Sequence, residues 1–381
     1  MILEFGFKNF FSFREGAQIS FRLDGKVPKA ISGDRDFTTV LGIKGANASG
    51  KTHVLKALTF IATFARWSFA SGESENPVIT FNNFYDSDEP SEFFIEMKIG
   101  KAKYRYELVA TDLKVLRETI FTYGPKKKKY LERFGNEIVV RPETSVALES
   151  IRLRDHVSVI STIAQHSTDL LKDINRFFEI IHSNVSYVGL NERPANISDI
   201  AKQLKRNPAL AKFVFDFIKE ADAGICGIEN FESVQPDGST KYTPYFVHQV
   251  GDKRHLIHSF AESSGTKALY CLLPGFKRTL EQGGVSIVDE IDVHLHALLL
   301  PRLIDLFLNE ESNPLGAQLI FSTHDSLVID LLGRYRTYLV NKEENESFVY
   351  RLDDIPGDIL RNDRPISPVY LEGRIGGVPK V

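Results

Sequence analysis

The feature that most constrains this chain is a glycine-rich segment, GANASGKT at residues 45–52. It matches the pattern G-x-x-x-x-G-K-[ST] at every fixed position. Residues 38–43 before it are apolar and β-branched, as in a strand, and apolar positions at helical spacing follow it over residues 53–62. A loop of this kind between a strand and a helix binds phosphate groups, so the segment predicts an α/β fold built around a phosphate-binding loop.

The residues of this loop have expected roles in binding a nucleotide. Glycine lets the backbone N–H groups curl around phosphate oxygens, and the N-terminus of the helix adds positive potential. We expect Lys51 to reach the β- and γ-phosphates and the Thr52 hydroxyl to bind Mg²⁺. The expected ATP-binding residues of the loop are Gly45, Asn47, Ser49, Gly50, Lys51 and Thr52. The loop thus predicts ATP and Mg²⁺ as the ligands of a P-loop NTPase.

A second segment, VSIVDE at residues 285–290, has the composition of a buried strand that ends in two carboxylates. Neighbouring strand residues point to opposite faces, so both carboxylates can serve one site only where the backbone changes direction. An acidic pair at a strand end is by itself most often a solvated turn. In a chain with a complete phosphate-binding loop, we interpret Asp289 as a Mg²⁺ ligand and Glu290 as the base that deprotonates the attacking water.

These motifs and three further segments resemble the ABC-type ATPases of the RecF, SMC and OLD branch. The segments are FKNFFSF at 7–13, AESSGTKAL at 261–269 and LIFSTHD at 319–325. They are similar to the opening strand and turn, the signature motif and the switch-histidine strand of that branch. The resemblance implies that Ser263, Ser264 and Gly265 contact ATP held by the P-loop of a second copy. It also implies that His324 is a catalytic residue of its own copy, and that the ATPase is a homodimer or a higher homo-oligomer.

Two positions depart from the usual motifs. The signature reads ESSGT instead of LSGGQ, which bears on the geometry of that motif, and His296 stands where transporters commonly have an aspartate. OLD-like members also have a histidine at that position. The resemblance therefore favours an ATPase that does not serve transport, and it identifies no glutamine of the Q-loop.

Composition limits the partners and the compartment. The formal net charge of −3 gives no overall basic field, so a contact with DNA or RNA must be local. The KKKK run at 126–129 is predicted to be the solvated tip of a loop, and the alternative is a contact with nucleic acid or with the acidic face of a partner. Cys226 and Cys271 lack the spacing of a disulfide framework or a zinc site, which favours a cytoplasmic protein. No apolar stretch approaches the roughly 20 residues of a membrane span, so we expect no membrane contact.

The pattern along the chain predicts an ATPase lobe in two parts with a helical lobe between them. The predicted boundaries are 1–148 for the first part, 149–223 for the helical lobe and 224–381 for the second part. We expect the first part to contain a β-hairpin at 93–109 that a strand at 118–123 extends. The fold class predicted is an α/β P-loop NTPase, namely an ABC-type head with a mixed or parallel core sheet, an antiparallel β part and an inserted helical lobe.

Periodicity gives the elements of the other two parts. In the helical lobe we predict helices at 168–183 and 209–221. In the second part we predict helices at 265–280 and 296–308 and buried strands at 285–288 and 317–322.

The C-terminal residues 370–379, YLEGRIGGVP, are similar to the tail of small OLD-like ATPases encoded beside a separate nuclease-type effector. This similarity implies an ATP-controlled dimer that drives such an effector in bacterial phage defence. The alternatives are a RecF-like DNA-repair ATPase that acts directly on DNA, a complete OLD-type nuclease and a transporter subunit. The nuclease would need a metal-binding TOPRIM domain, and the roughly 57 residues after His324 fall short of the about 100 typical of a domain.

Overall fold

The phosphate-binding loop lies in the middle of a six-stranded, mostly parallel sheet. The computed structural model describes residues 1–25, 27–33, 35–71, 78–142, 151–166, 168–190, 196–357 and 359–379. In spatial order the strands of this central sheet are β18 (Glu346–Arg351), β17 (Thr337–Glu343), β3 (Val40–Gly45), β16 (Gln318–Ser322), β15 (Val285–Val288) and β9 (Ile181–Ser183). Neighbouring strands are parallel except β17 and β18. Every residue of β3, β15 and β16 is buried, because both faces of the sheet are covered.

An antiparallel sheet of seven strands forms a second layer. In spatial order its strands are β2 (Ala17–Ser20), β1 (Ile2–Lys8), β4 (Ser91–Ile99), β5 (Ala102–Ala110), β6 (Val115–Tyr123), β7 (Lys127–Phe134) and β8 (Glu137–Val140). The hairpin predicted at 93–109 is confirmed, since β4 pairs with β5 across a turn in which Gly100 has a φ of 58°. The strand predicted at 118–123 is confirmed as part of β6, which extends this sheet.

Helices cover both faces of the central sheet. The helices of the described residues are α1 (Lys29–Ser32), α2 (Lys51–Trp67), α3 (Val159–Ile163), α4 (Lys172–Glu179), α5 (Ile197–Arg206), α6 (Pro208–Ala221), α7 (Ser264–Gln282), α8 (Leu299–Leu308), α9 (Leu327–Leu332) and α10 (Ser367–Leu371). α2 packs between the two sheets, in a first core that includes Ile43, Leu55 and Tyr106. On the opposite face, α6, α7 and α8 pack with Val40 and Phe321 in a second core. None of the helices in the described ranges is both long and apolar enough to cross a membrane.

Two smaller sheets complete the described elements. One consists of the antiparallel strands β12 (Ile225–Val234), β13 (Thr240–Val250) and β14 (Lys253–His258), and the other of β10 (Val185–Ser186) and β11 (Gly189–Leu190). The larger one leads directly into the segment before α7, which carries the predicted signature residues.

The segment predicted as a helical lobe, 149–223, contributes to two different cores; its predicted start at residue 149 lies outside the described residues. α3 and α4 pack on α2 in the first core, whereas α5 and α6 pack on α7 in the second. The helix predicted at 168–183 is wrong at its end, because residues 181–183 form β9. The N–H of Val285 donates to the carbonyl of Ile180 at 3.0 Å, and pairing with the buried strand β15 overrides the helical spacing.

Only Lys126 of the KKKK run at 126–129 lies in the turn between β6 and β7, so the prediction of a loop tip is wrong for the other three lysines. Lys127 and the two lysines after it are the first residues of β7, with exposed side chains, because the chain pairs here with the end of β6. The Nζ of Lys129 lies 2.6 Å from Glu132 Oε2, and the Nζ of Lys127 lies 3.6 Å from Glu107 Oε1. Carboxylates therefore balance two of these positive charges.

Candidate nucleotide-binding site

The loop after β3 requires glycine at both of its ends. A Cβ on Gly45 would lie 2.4 Å from the carbonyl oxygen of Val340 in β17, and a Cβ on Gly50 would lie 2.8 Å from Ser347 Oγ. Gly50 also has a φ of 112°, a conformation that glycine adopts without strain. α2 begins directly afterwards, at Lys51. The positive end of this helix therefore lies at the loop, as a phosphate site requires.

Lys51 holds its ammonium group against the loop. Its Nζ donates to the carbonyl of Gly45 at 3.1 Å and to that of Ala46 at 3.0 Å. Burial lowers the pKa of Lys51, while nearby carboxylates, Asp289 first among them, act to raise it. The lysine is therefore a buried cation beside the carboxylates that follow β15.

The polar side chains in the middle of the loop differ in their surroundings. Asn47 is exposed, whereas Ser49 is buried, and Ser49 Oγ has no hydrogen-bond partner among the described residues. A buried hydroxyl without a partner costs on the order of 1–3 kcal/mol. Such a donor fits a ligand that brings acceptor oxygens to the loop, as the phosphates of ATP do.

Asp289 is held next to the hydroxyl of Thr52. Thr52 Oγ1 donates to Asp289 Oδ2 at 2.7 Å, and the Ser322 hydroxyl donates to Asp289 Oδ1. Asn184 binds the backbone of Asp289 twice, because its Nδ2 donates to the carbonyl at 3.1 Å and its Oδ1 accepts from the N–H at 2.8 Å. One hydroxyl and one carboxylate suit Mg²⁺, which keeps several waters and takes further oxygens from phosphates. Thr52 and Asp289 therefore fit the metal that the sequence predicts.

The second carboxylate, Glu290, turns away from the first. Glu290 has a φ of 51°, so the backbone changes direction directly after β15. Its side chain is 39% exposed, whereas Asp289 is only 3% exposed. His324 Nε2 lies 3.9 Å from Glu290 Oε1. The end of the strand thus separates a buried carboxylate suited to a metal from an open carboxylate that water can reach.

The predicted signature residues lie at the N-terminus of α7. Ser263 caps this helix, with its Oγ accepting from the N–H of Thr266 at 3.1 Å, and Ser263 and Ser264 are both exposed. A Cβ on Gly265 would lie 2.9 Å from the carbonyl oxygen of His294, so glycine permits a close approach to the segment after β15. Within the described ranges, no hydrogen bond joins residues 263–265 to the P-loop of the same chain.

The structure thus brings most of the predicted site residues together in one chain. The loop residues, Asp289, Glu290 and His324 follow the carboxyl ends of β3, β15 and β16, which are adjacent and parallel. Ligands of open α/β sheets bind at this edge. The three signature residues stay outside this group.

Three residues that support the site were not predicted from the sequence: Asn184, Ser322 and Asp292. Ser322 ends a predicted strand two positions before His324, so its hydroxyl was a usable signal. Asn184 had no such signal in the sequence, because the apolar residues before it have the spacing of a helix and hide the strand β9. The carboxylate of Asp292 accepts from the backbone N–H of His324, at 3.2 Å to Oδ1 and 3.1 Å to Oδ2. No spacing rule marks that contact.

Three solved structures of SMC head domains are similar to this chain at low sequence identity. An SMC head bound to the C-winged helix domain of ScpA is 16% identical, with a TM-score of 0.48, over 92% of this chain and 96% of that one. The head domain from Thermotoga maritima is 16% identical, with a TM-score of 0.44, over 92% and 98%. An Smc head bound to the C-terminal domain of ScpA derived from Pyrococcus furiosus is 14% identical, with a TM-score of 0.47, over 93% and 97%. No curated protein matches the chain.

A protein-family model matches residues 40–330. Its description is "AAA domain, putative AbiEii toxin, Type IV TA system". The match spans well over half of the chain and contains the loop, both carboxylates, the signature segment and His324. The fold of the chain is an α/β fold in which the phosphate-binding loop follows a strand of a mostly parallel central sheet. Because the family model matches more than half of its length, the chain belongs to this family of AAA domains.

Proposed function

We propose that this chain binds ATP with Mg²⁺ and hydrolyses it. The observation that carries the proposal is the meeting of the phosphate-binding loop, the Thr52–Asp289 pair and the Glu290–His324 pair at the ends of three adjacent parallel strands. The membership in a family of P-loop domains supports the same reaction. Release of phosphate from ATP by the purified chain, with and without a Mg²⁺ chelator, tests it.

Each part of the site has one task in this reaction. Lys51 and the N–H groups of the loop bind the β- and γ-phosphate oxygens and stabilise the charge that develops on them. Thr52 and Asp289 would hold Mg²⁺, which, when bound, neutralises charge on the phosphate oxygens. Glu290 accepts a proton from the attacking water, and His324 orients that carboxylate.

The remaining site residues fit a site that a second copy completes. α7 is a helix of 19 residues whose N-terminus exposes Ser263 and Ser264, and a helix N-terminus attracts anions. Glu290 and His324 are also partly exposed, at 39% and 43% of their side chains. We infer that two chains associate with ATP between them, so that α7 of each chain contacts the nucleotide of the other.

Mixing two inactive variants tests the contribution of the second copy. Lys51→Ala removes the phosphate-binding charge, and Ser264→Asp places a carboxylate at the exposed start of α7, where it repels phosphate. Aspartate at a helix N-terminus is favourable for the helix, so the fold should be preserved. We expect each variant to be inactive alone and the mixture to regain hydrolysis, because each heterodimer contains one intact composite site.

The matched control is Ser264→Asn, which has the same size as the aspartate variant without its charge and should retain most of the activity. Gly265 is less suitable for this purpose, since any side chain there would press on the carbonyl oxygen of His294. Activity of Ser264→Asp alone, or an inactive mixture in which heterodimers are demonstrated, would count against the contact in trans.

We further propose that the dimer acts on a separate effector protein of nuclease type in bacterial phage defence. The family description names a toxin–antitoxin system, a class of system with a second component, which supports an action that involves another protein. The tail at 370–379, which resembles that of small OLD-like ATPases, supports the defence setting. ATP can shift the state of a partner only if the contacts with that partner differ between the ATP-bound and ATP-free forms.

Co-expression with the product of the neighbouring gene, followed by pull-down, tests the need for a partner. We expect the partner to be retained in an ATP-dependent way, more by Glu290→Gln, which keeps ATP bound, than by Lys51→Ala, which does not bind it. Protection of cells or cleavage of nucleic acid by the chain alone would contradict the proposal. Tight binding of DNA by the chain alone would favour the RecF-like alternative.

A further inference from the structure

The residue directly before the P-loop is a buried lysine, in a strand whose buried positions are otherwise apolar or glycine. Lys44 is 3% exposed and follows four buried residues of β3. Strand residues alternate between faces, and Leu41 and Ile43 belong to the first core, so Lys44 points to the face opposite α2. A buried ammonium group is costly unless it has partners, so this lysine calls for a specific explanation.

The first partner of Lys44 is the backbone of His324. Lys44 Nζ donates to the carbonyl oxygen of His324 at 2.7 Å. The N–H of the same residue donates to the carboxylate of Asp292. The switch histidine lies between β16 and α9, outside any helix or strand, so these two contacts hold both ends of its backbone unit. The Nε2 of this histidine lies 3.9 Å from Glu290 Oε1.

Two nearby carboxylates favour the charged form of Lys44. Burial lowers its pKa to about 8, with Lys51 also lowering it and the carboxylates of Asp292 and Asp325 raising it. The ammonium form therefore dominates at neutral pH. A charged donor makes a stronger hydrogen bond to a carbonyl than a neutral one.

The second partner of Lys44 comes from the C-terminal segment, residues 367–379. The Lys44 Nζ lies 5.0 Å from the centre of the Tyr370 ring, a cation–π contact. The Tyr370 hydroxyl donates to the carbonyl of Gly377 at 2.9 Å, and the N–H of Gly377 donates to Asn341 Oδ1 in β17 at 2.6 Å. Tyr370 and Ile375 are buried in a small core with residues of the central sheet. The segment is therefore docked, and its tyrosine covers the lysine.

We propose that Lys44 is a positioning residue for ATP hydrolysis, which holds the backbone of His324 in place and is itself held by Tyr370 of the C-terminal segment. The inference rests on the proposed ATPase function. It links a segment outside the family match, which ends at residue 330, to the switch histidine.

The test is Lys44→Met, which keeps the length of the side chain and removes its charge. We expect kcat to fall at least about tenfold and the KM for ATP to change less than about threefold, since Lys51 still binds the phosphates. Methionine fills a similar volume, but the substitution leaves the carbonyl of His324 without its donor, so thermal melting is measured to establish that the variant is folded. Lys56→Met, which removes another buried lysine, at 9% exposure in α2, is the matched control.

A double-mutant cycle separates positioning from a general structural effect. If Lys44 acts through His324, Lys44→Met should cause no further loss of kcat in a His324→Ala background. Losses that multiply would overturn the inference. Tyr370→Leu should lower kcat in the same direction by a smaller factor, and an unchanged kcat would remove the C-terminal segment from the proposal.

Hydrogen exchange tests the contact without relying on hydrolysis. We expect the peptide covering residues 322–327 to exchange faster in Lys44→Met than in the wild type or in Lys56→Met, because one end of the His324 backbone unit is released. Unchanged exchange in this peptide would overturn the inference. A wild-type chain that hydrolyses no ATP would overturn the proposed function instead, and the exchange result would still decide whether Lys44 holds His324.

Discussion

We expect Glu290→Gln to bind ATP normally and to hydrolyse it at least about 100-fold more slowly, the usual scale for the loss of a general base. The amide has the size of the carboxylate but cannot accept a proton from water. Glu290 lies after the turn that follows β15, 39% exposed, and makes no contact with the Thr52–Asp289 pair among the described hydrogen bonds. The substitution should therefore leave metal and phosphate binding unchanged.

The same variant should accumulate the ATP-bound dimer, which light scattering with and without ATP would detect. Asp289→Asn is the informative contrast, because the loss of a buried metal-binding carboxylate should weaken Mg²⁺-dependent ATP binding itself. Undiminished turnover by Glu290→Gln would assign the base to another residue. Equal loss of ATP binding in both variants would show that the two carboxylates do not have separate tasks.

Lys51→Ala should abolish ATP binding while the fold stays intact. Within the described part of the chain, the Lys51 side chain makes two hydrogen bonds, both to carbonyls of its own loop, and neither belongs to the packing of a core. Each hydrogen bond from a charged donor contributes about 1.5–3 kcal/mol, so loss of the contacts to phosphate weakens binding by roughly 100-fold or more. Calorimetric titration with ATP and Mg²⁺ measures this change.

The matched control is Lys56→Ala, five positions further along α2. In the wild type, the Nζ of Lys56 lies over the ring of Phe11 and forms no hydrogen bond with the loop within the described residues. It should bind ATP as the wild type does. Thermal melting of both variants establishes that they are folded. Normal affinity in a folded Lys51→Ala chain would show that the loop is not the nucleotide site.

The sequence by itself determined the phosphate-binding loop, the acidic pair and three strands of the central sheet, namely β3, β15 and β16. These features depend on residues close together in the chain. The glycines of the loop are fixed by the local backbone, and the buried strands are continuous apolar runs. The turn at Glu290 also followed from the sequence, because two adjacent strand residues cannot serve one site unless the backbone changes direction.

Only the tertiary structure decided which residues hold these groups in place. Asn184 reaches Asp289 across 105 positions and Lys44 reaches His324 across 280, so no local pattern marks either pair. β9 was hidden because a short strand at the edge of a sheet derives its stability from its neighbour rather than from its own sequence. The sequence did not indicate a role for Lys44, because burial of a lysine ammonium group costs free energy only in the folded chain, where other residues exclude water from it.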